Sequence, residues 1–297
     1  RVGNTVRVTG RIDATPRGPV LKVTSTNQFR GVTPSLAVSL DENGEGTTFE
    51  RKLKWTLNDL ARKESFDVLE RTADRWRKEQ ERLLDGEWKI ALFYDSLGPS
   101  NYSAQGCADF FAALDRWEQH IPDAVTPHII KADVLYAQAW KARGGGYAPS
   151  VTPEGWREFK RLLDEARSEL ELIQEQGPVC PKWFNLMLSI ARDQQWSRSE
   201  YESLFKSAAK QWPEYFYLYQ NKAFTLMPRW YGREGEWEAF AHSLTERDQD
   251  GLGSELYTRI GLYLEPRYEG FFKDSTYEWP LMKRGFDQLI ARYPASV

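Results

Sequence analysis

The chain has 297 residues, of which 41% are hydrophobic, 14% aromatic and 28% charged, and its formal net charge is −3. This composition excludes wholesale disorder, and the small charge gives no overall attraction to nucleic acid. No run approaches the roughly 18 apolar residues of a membrane-spanning helix. Two cysteines are too few for a disulfide scaffold or a structural zinc site, and whether Cys107 and Cys180 pair stays open.

The first 50 residues differ in character from the rest. Residues 1–40 contain six basic residues and one acid, a local charge of +5, whereas the other 257 residues carry −8. Apolar residues alternate along 5–12 and a β-branched run follows at 20–23, so we predict two short strands there and a third at 36–40. All 12 tryptophans come later in the chain. We therefore divide the chain into a basic, β-rich segment of residues 1–50 and an α-helical domain of residues 51–297.

From about Leu57 the spacing of apolar residues becomes helical. Leu69, Ala73, Trp76 and Leu83 recur at steps of four, three and seven, with charged residues between them. This spacing places all four on one face of an amphipathic helix. We therefore expect helices from this point to the end of the chain.

Helix boundaries are marked by hydroxyl residues, prolines and glycines. Thr126-Pro127 and Thr152-Pro153 each predict a helix start, with a capping hydroxyl before a proline. Ser199 and Glu202 have the spacing of a capping box. Glycine and proline interrupt the helical backbone, and the stops predicted on this basis are 144–146, 177–178 and Pro228.

Three segments align without gaps when Pro122, Pro213 and Pro294 are superposed. Apolar residues stand one, five and eight positions before each proline: Ile121, Trp117 and Leu114, then Trp212, Ala208 and Phe205, then Tyr293, Leu289 and Phe286. A Lys-Ala pair follows the first two prolines, at 131–132 and 222–223. Each segment predicts a helix that ends at the proline, and the first two predict a second helix that packs back on the first.

This arrangement resembles the tetratricopeptide repeat, in which helical hairpins stack on one another. The resemblance covers roughly residues 105–297, with helices around Phe159 and Trp237 filling the intervals between the prolines. It implies an α-solenoid whose stacked hairpins share a core and leave a concave surface for a ligand. An irregular helical domain is the alternative, because core-facing helices of any kind show similar spacing.

A second resemblance concerns residues 227–232, Met-Pro-Arg-Trp-Tyr-Gly, together with Trp237 and the closing segment 279–294. These look like parts of a family of uncharacterised bacterial proteins in which a Pro-Arg-Trp-Gly-Gly loop follows a repeat helix. Tyr231 stands where that family tends to have glycine. The resemblance implies a bacterial source and a helical repeat, and many members of that family are exported or membrane-anchored, but it implies no activity.

Few residues have the spacing of a catalytic or metal site. His120, His128 and His242 match no metal motif, and residues 144–146 lack the lysine of a phosphate-binding loop. Acids stand beside tryptophans in two places, where each set is able to flank a bound sugar: Asp85 and Glu87 before Trp88, and Glu234, Glu236 and Glu238 around Trp237. We expect no catalytic residue, no metal and no cofactor.

Nine aromatic residues fall within the 26 residues from Trp212 to Trp237. Most should be core residues, because repeat interfaces are built from such side chains. We predict that Arg229, Trp230, Tyr231 and Trp237 contact a partner, since tryptophan, tyrosine and arginine anchor protein interfaces. The competing interpretation is structural, with the arginine binding carbonyls at a helix end and the tryptophan sealing a repeat.

The sequence thus predicts a mainly α-helical, tetratricopeptide-like solenoid with a small β-containing amino-terminal extension. We expect a non-enzymatic interaction module, an adaptor, scaffold or assembly subunit, that binds a protein or peptide on its aromatic-rich concave surface. The alternative is a helical carbohydrate-active or peptidoglycan-binding protein with an aromatic, carboxylate-lined groove. We expect no nucleic-acid partner, because the basic segment lacks interleaved aromatic residues. The compartment stays open, with a bacterial periplasmic or membrane-anchored location favoured over a cytoplasmic one. A segment upstream of Arg1 would bring the protein close to a membrane.

Overall fold

The computed structural model describes residues 8–15, 18–26, 48–99, 102–176, 180–246, 248, 250–267 and 271–294. Over these residues the protein is mainly α-helical. Near the amino terminus, β1 (Val8–Thr15) and β2 (Gly18–Thr26) pair in antiparallel orientation, with Ile12 opposite Leu21. The predicted strand at 36–40 lies outside the described residues.

Thirteen α-helices follow in the described part of the chain. They are α1 (Thr48–Arg62), α2 (Phe66–Glu79), α3 (Lys89–Ser96), α4 (Ala104–His120), α5 (Thr126–Arg143), α6 (Pro153–Leu172), α7 (Pro181–Asp193), α8 (Arg198–Gln211), α9 (Phe216–Thr225), α10 (Glu236–Thr245), α11 (Leu252–Leu264), α12 (Phe271–Asp274) and α13 (Trp279–Arg292). The predicted start near Leu57 is therefore too late. The first turns of α1 are rich in charged residues, among them Arg51, Lys52 and Lys54, which hide the apolar period.

The amphipathic helix predicted around Leu69 is α2. Leu69, Ala73 and Trp76 are all buried, as the spacing requires. Leu83, however, is not on this helix, because α2 ends at Glu79. The apolar spacing continues past the end of α2. The reason is that residues in the connection after α2 also contribute to the core.

The two helix starts predicted from a threonine before a proline have different outcomes in the structure. Thr152 caps α6, since its Oγ1 accepts a hydrogen bond from the Gly155 N–H at 3.0 Å. Thr126 is not a cap, because it is itself the first residue of α5. Its hydroxyl instead donates to Oε1 of Glu70 on α2, at 2.6 Å. A long-range partner has therefore replaced the local capping bond that the sequence predicts.

The capping box of α8 uses Ser197 and Glu200, not the predicted Ser199 and Glu202. Both pairs have the same spacing, so the sequence alone does not distinguish them. Glu202 accepts a hydrogen bond from the Lys222 Nζ at 2.6 Å, which joins α8 to α9. The helix therefore begins one serine earlier than predicted.

The predicted helix stops lie at real helix ends wherever the chain is described. Gly144 follows the last residue of α5 with a φ of 79°, a left-handed conformation that glycine adopts readily. α9 ends at Thr225, shortly before Pro228. Residues 177–178 lie outside the described residues.

The helices before Pro122, Pro213 and Pro294 end in the same way. In α4, α8 and α13 the residue after the helix donates its backbone N–H to the carbonyl four positions earlier, at 2.8 to 2.9 Å. The φ of this residue lies between −129° and −133° in all three. The residues five positions before the prolines are all buried: Trp117, Ala208 and Leu289. The repeated sequence pattern therefore corresponds to a repeated helix end.

Consecutive helices pack as hairpins: α4 with α5, α6 with α7, α8 with α9, and α10 with α11. The second helices of these hairpins also pack in chain order, α5 on α7, α7 on α9 and α9 on α11. α13 packs on α11, where a Cβ on Gly285 would overlap Ser254 and Thr258. A single buried core extends from Leu57 on α1 to Met282 on α13. This packing places the ends of α5, α7 and α9 side by side.

The connection between α2 and α3, residues 80–88, covers the amino-terminal end of α9. The Trp88 ring packs edge-on against Tyr215, with 5.0 Å between ring centroids. The hydroxyl of Tyr217 donates to Oε1 of Glu87 at 2.7 Å. Gly86 lies against Tyr293 at the end of α13. The opposite ends of α5, α7 and α9 are left open by this connection.

Cys107, on α4, and Cys180, directly before α7, are both buried and both free. The Sγ of Cys180 lies 3.5 Å from the hydroxyl oxygen of Tyr94. The two thiols therefore do not pair with each other. In the described part of the chain, none of the helices has the combined length and apolar character that crossing a membrane requires.

Candidate functional site: a tryptophan groove

Three of the four predicted contact residues lie together. Arg229, Trp230 and Tyr231 follow α9 and line a cavity of about 520 Å³. Arg229 is exposed, Trp230 is half-buried and Tyr231 is 42% exposed. The carboxyl-terminal ends of α5 and α7 and the first turn of α6 form the rest of the wall. Its aromatic and arginine members are Trp140, Arg143, Tyr147, Trp156, Phe159, Arg192, Phe224, Arg229, Trp230 and Tyr231.

A second cavity of about 470 Å³ adjoins the first. Both cavities are lined by Trp156, Phe159, Asp193 and Gln195. The second extends along α6 and is also lined by Trp196. We call the two cavities together the tryptophan groove.

The last turn of α5 supplies two groove residues. Trp140 and Arg143 are three positions apart, so they lie on the same face of the helix. After Gly144 the chain leaves the helix and passes the groove at Gly145 and Gly146. Tyr147 then projects from the rim and is 91% exposed.

Arg143 is held between two indole rings. Its guanidinium carbon lies 5.2 Å from the Trp140 ring centre and 5.1 Å from that of Trp156. Its Nη1 donates to the backbone carbonyls of Gly144 and Gly146, at 3.2 and 2.8 Å. Among the described residues no acid pairs with this arginine. Its position is therefore fixed, while most of its N–H groups stay free.

Asp193, the last residue of α7, fixes the floor of the groove, and its side chain is fully buried. Its Oδ2 accepts hydrogen bonds from the Tyr136 hydroxyl at 2.8 Å and from the Trp140 indole N–H at 2.9 Å. Arg192 donates to both of its oxygens, at 2.8 and 3.2 Å. The carboxylate therefore positions Trp140 and Arg192 and has little capacity left for acid–base chemistry.

Arg192 is positively charged and packs against the aromatic side chains beside it in the groove wall. Burial alone would lower the pKa of its guanidinium, but the neighbouring Tyr136 and Asp193 raise that pKa above its ordinary value. Its guanidinium carbon lies 5.1 Å from the Phe224 ring centre and 5.2 Å from the Trp230 ring centre. These cation–π contacts join α7 to the loop after α9.

The loop after α9 is fixed to α7 by Tyr231. Its hydroxyl donates to the backbone carbonyl of Arg192 at 2.6 Å, which satisfies a carbonyl in the last turn of α7. Burial raises the pKa of Tyr231, so the hydroxyl stays a donor near neutral pH. Trp230 in turn packs edge-on against Trp140, with 6.1 Å between ring centroids. The groove wall is thus assembled before any ligand arrives.

Trp237, the fourth predicted contact residue, does not line this groove. It lies on α10 and is only 1% exposed. Its ring stacks on Tyr277, with 5.4 Å between centroids, and lies 5.9 Å from the ring of Phe271. Partners more than 30 positions away in sequence therefore bury it in the core, so it has no free surface for a ligand.

Neither of the two acid–tryptophan sets forms a sugar platform. Trp88 is fully buried, as Trp237 nearly is, so neither ring presents a free face. Asp85 and Glu87 are buried as well, and burial raises the pKa of Glu87 to about 7, against a hydrogen bond from Tyr217 that lowers it. Glu238 is buried too, whereas Glu234 is exposed and Glu236 is half-buried beside a ring that offers no free face.

The histidines serve as ion-pair or hydrogen-bond partners. His120 Nε2 lies 2.9 Å from Oδ2 of Asp67, and His128 Nδ1 lies 3.0 Å from Oε2 of Glu169. Within the described ranges, no group of three or more histidine, cysteine, aspartate or glutamate residues is arranged to hold a metal ion. These contacts join α2 to α4 and α5 to α6.

Sequence patterns pointed to the loop at 229–231 but not to the residues opposite it. Trp140, Arg143, Trp156 and Arg192 come from three different helices, and only packing brings them together. One local signal was present: Trp140 and Arg143 share the last helical turn before three glycines. A tryptophan and an arginine at a helix end followed by a turn is a combination that favours surface recognition.

No protein-family model, no curated protein and no solved structure matches this chain. The resemblances to the tetratricopeptide repeat and to the family with the Pro-Arg-Trp-Gly-Gly loop therefore stay predictions. The function has to be inferred from the groove itself.

Proposed function

We propose that the protein is a non-enzymatic interaction module that binds a segment of another protein in the tryptophan groove. The observation that carries this proposal is the convergence of four tryptophans and four arginines on one open groove: Trp140, Trp156, Trp196, Trp230, Arg143, Arg167, Arg192 and Arg229. Tryptophan and arginine are enriched among the residues that dominate binding energy at protein interfaces.

The groove is also preorganised, which lowers the entropy cost of binding. Arg143 is fixed by two rings and two carbonyls, and Arg192 by Asp193 and two further rings. The aromatic side chains contact one another edge-on, so their faces are available only in part. The resulting clefts fit side-chain anchors of a peptide better than the flat face of a sugar ring.

The architecture we infer for this module is a tetratricopeptide-like α-solenoid with a small β-containing extension at residues 1–50. The shared helix ends at the three prolines and the serial packing of α5, α7, α9 and α11 support the solenoid. In such a stack, loops at one end of the hairpins line up into a continuous binding surface. The tryptophan groove occupies that position.

Carbohydrate binding is the competing function. Tyr147 and the half-buried Trp156 at the groove rim favour it, because exposed aromatic rings stack on sugars. The groove carboxylates do not favour hydrolysis: Asp193 is saturated, and Asp164 accepts a hydrogen bond from Gln194 at 2.8 Å. This alternative therefore concerns binding of a glycan without its cleavage.

The test compares the wild-type chain with a double variant, Arg229→Ala with Trp230→Ala, as immobilised bait for proteins of the native source and for a glycan array. We expect a protein that the wild type retains and that the double variant retains at least tenfold less, because both anchors are lost. Mass spectrometry identifies the captured protein. Circular dichroism and thermal unfolding check that the double variant is folded.

Trp55→Ala is the matched control, because Trp55 is 65% exposed on α1 and does not line the groove. It should retain the same protein as the wild type. Equal capture by the folded double variant would refute the groove as the binding site. Glycan binding that depends on Trp230, with no protein retained, would replace the proposed function with carbohydrate recognition.

A further inference from the structure

Several hydrogen-bond donors of the groove are left unused. The indole N–H of Trp230 is buried and has no acceptor among the described residues. Within the described ranges, the polar and ring contacts of the Arg229 guanidinium are to the sulfur of Met227, at 3.7 Å, and to the ring of Phe224. Arg143 uses Nη1 alone. The N–H groups of Arg143 and Arg229 that a ligand can reach favour one that supplies acceptors.

Several acceptors of the groove are, by contrast, already occupied. Asp193 accepts four hydrogen bonds, and Asp164 accepts one from Gln194. The carbonyls of Gly144, Gly146 and Arg192 accept hydrogen bonds from Arg143 and Tyr231. Of the two groove carboxylates in the described part of the chain, Asp164 alone keeps an oxygen without a hydrogen bond, so a ligand rich in donors is served less well than one rich in acceptors.

The groove also carries an excess of positive charge, which agrees with its excess of hydrogen-bond donors. Five basic and two acidic side chains line the two cavities, while the whole chain carries −3. Among the described residues, Arg143, Arg229 and Lys160 have no acidic partner. The positive charge is thus local to the groove, and a negatively charged ligand is attracted to this part of the surface.

We propose that the partner segment is an acidic peptide with aromatic or aliphatic anchors, whose carboxylates bind Arg143 and Arg229 on either side of the Trp140 and Trp230 rings. Arginine presents a planar set of donors that matches a carboxylate, and stacking on aromatic rings fixes that plane. The apolar anchors of the peptide pack against the Trp140 and Trp230 rings between the two arginines. This inference specifies the ligand of the proposed function and rests on it.

The test is selection of a random peptide library displayed on phage, with the intact wild-type chain and an Arg143→Gln, Arg229→Gln double variant as targets. We expect the wild type to enrich peptides that combine aspartate or glutamate with apolar residues. The double variant should lose the acidic enrichment, and it should bind the best peptide at least tenfold more weakly in fluorescence anisotropy. Added salt should weaken binding to the wild type, because the contacts are charged.

Arg157→Gln with Arg284→Gln is the matched control. Both arginines are exposed, neither lines the groove, and the pair removes the same charge. Its selection should match that of the wild type. Enriched peptides without acidic residues, or equal acidic enrichment by both double variants, would overturn the charge assignment and leave the peptide groove standing. No enrichment of any peptide would refute the proposed function together with this inference.

Discussion

Glu87 shows how one buried carboxyl makes stability depend on pH. Its Oε1 accepts hydrogen bonds from the Tyr217 hydroxyl and the Trp88 backbone N–H, at 2.7 and 2.9 Å. Burial raises its pKa from 4.5 to about 7, while Tyr217 and the nearby Arg259 act to lower it. The folded protein therefore binds this proton more tightly than the unfolded chain does.

Glu87→Gln should remove this pH dependence, because the amide stays neutral and keeps an oxygen for both donors. The contribution of Glu87 to wild-type stability should fall as the pH rises from about 4.5 through about 7, by up to about 3 kcal/mol, since the carboxyl loses its proton in a buried site. The variant should therefore gain stability over the wild type as the pH rises. Urea unfolding at about pH 5 and about pH 8 measures the difference.

Glu79→Gln is the control for that pair of measurements, because Glu79 is exposed at the end of α2. Its stability relative to the wild type should change little between the two pH values. A Glu87→Gln variant whose advantage does not grow with pH would show that Glu87 ionises near its ordinary pKa despite its burial.

Among single elements, α8 offers a direct comparison of two serines. Ser197→Ala should lower the free energy of unfolding by about 1 kcal/mol, because the Ser197 Oγ accepts the Glu200 N–H at 3.2 Å and completes the capping box. Ser199→Ala should change it by less than about 0.5 kcal/mol, because alanine is a better helix former at an exposed helical position. Thermal or urea unfolding of both variants measures the difference, and equal losses would place the cap elsewhere.

Helix ends were predictable where one local pattern decides them. The proline anchors located the ends of α4, α8 and α13, and three glycines located the end of α5. The start of α8 was misplaced because two serines have identical spacing to a glutamate. Thr126 was misassigned because a carboxylate on another helix takes its hydroxyl. Local signals fail where a distant residue competes for the same group.

The candidate site was predictable only as far as one loop. Arg229 and Trp230 stand out in the sequence because they follow a helix end and lie in a segment whose apolar residues do not have helical spacing. Trp237 has the same residue type but lies on the buried face of α10, against rings from 271–277 that no local pattern links to it. Whether an aromatic residue faces a ligand or the core thus depends on tertiary packing, which the sequence does not display.

Across the whole molecule, residues 80–88 connect the beginning of the helical region to its end. Arg82 pairs with Glu214 at 3.1 Å, before α9, and Gly86 lies against Tyr293, after α13. No spacing in the sequence indicates that this short connection crosses the stack. In the solenoid that we propose, each unit contacts mainly its neighbours, so this connection would add a long-range contact to a serial arrangement.

Gly86→Ala should loosen α13 while leaving the middle of the stack intact. Gly86 has a φ of 83°, and a Cβ there would lie 2.5 Å from the Tyr293 ring and 2.8 Å from Nη2 of Arg259. We expect backbone amides of α13 to exchange hydrogen at least tenfold faster in the variant, corresponding to about 1.4 kcal/mol, and those of α6 to be unchanged. Hydrogen exchange followed by mass spectrometry resolves the two helices.

Gly235→Ala separates the cost of the left-handed backbone from the loss of this contact. Gly235 has a φ of 76°, and a Cβ there meets nothing within 4 Å, so the variant carries the same backbone strain without displacing a neighbour. It should leave exchange in α13 at the wild-type rate. Unchanged exchange of α13 in Gly86→Ala would mean that the connection does not hold the last helix. Equal acceleration of α6 and α13 would mean that the helices unfold as one cooperative domain, which would contradict the solenoid.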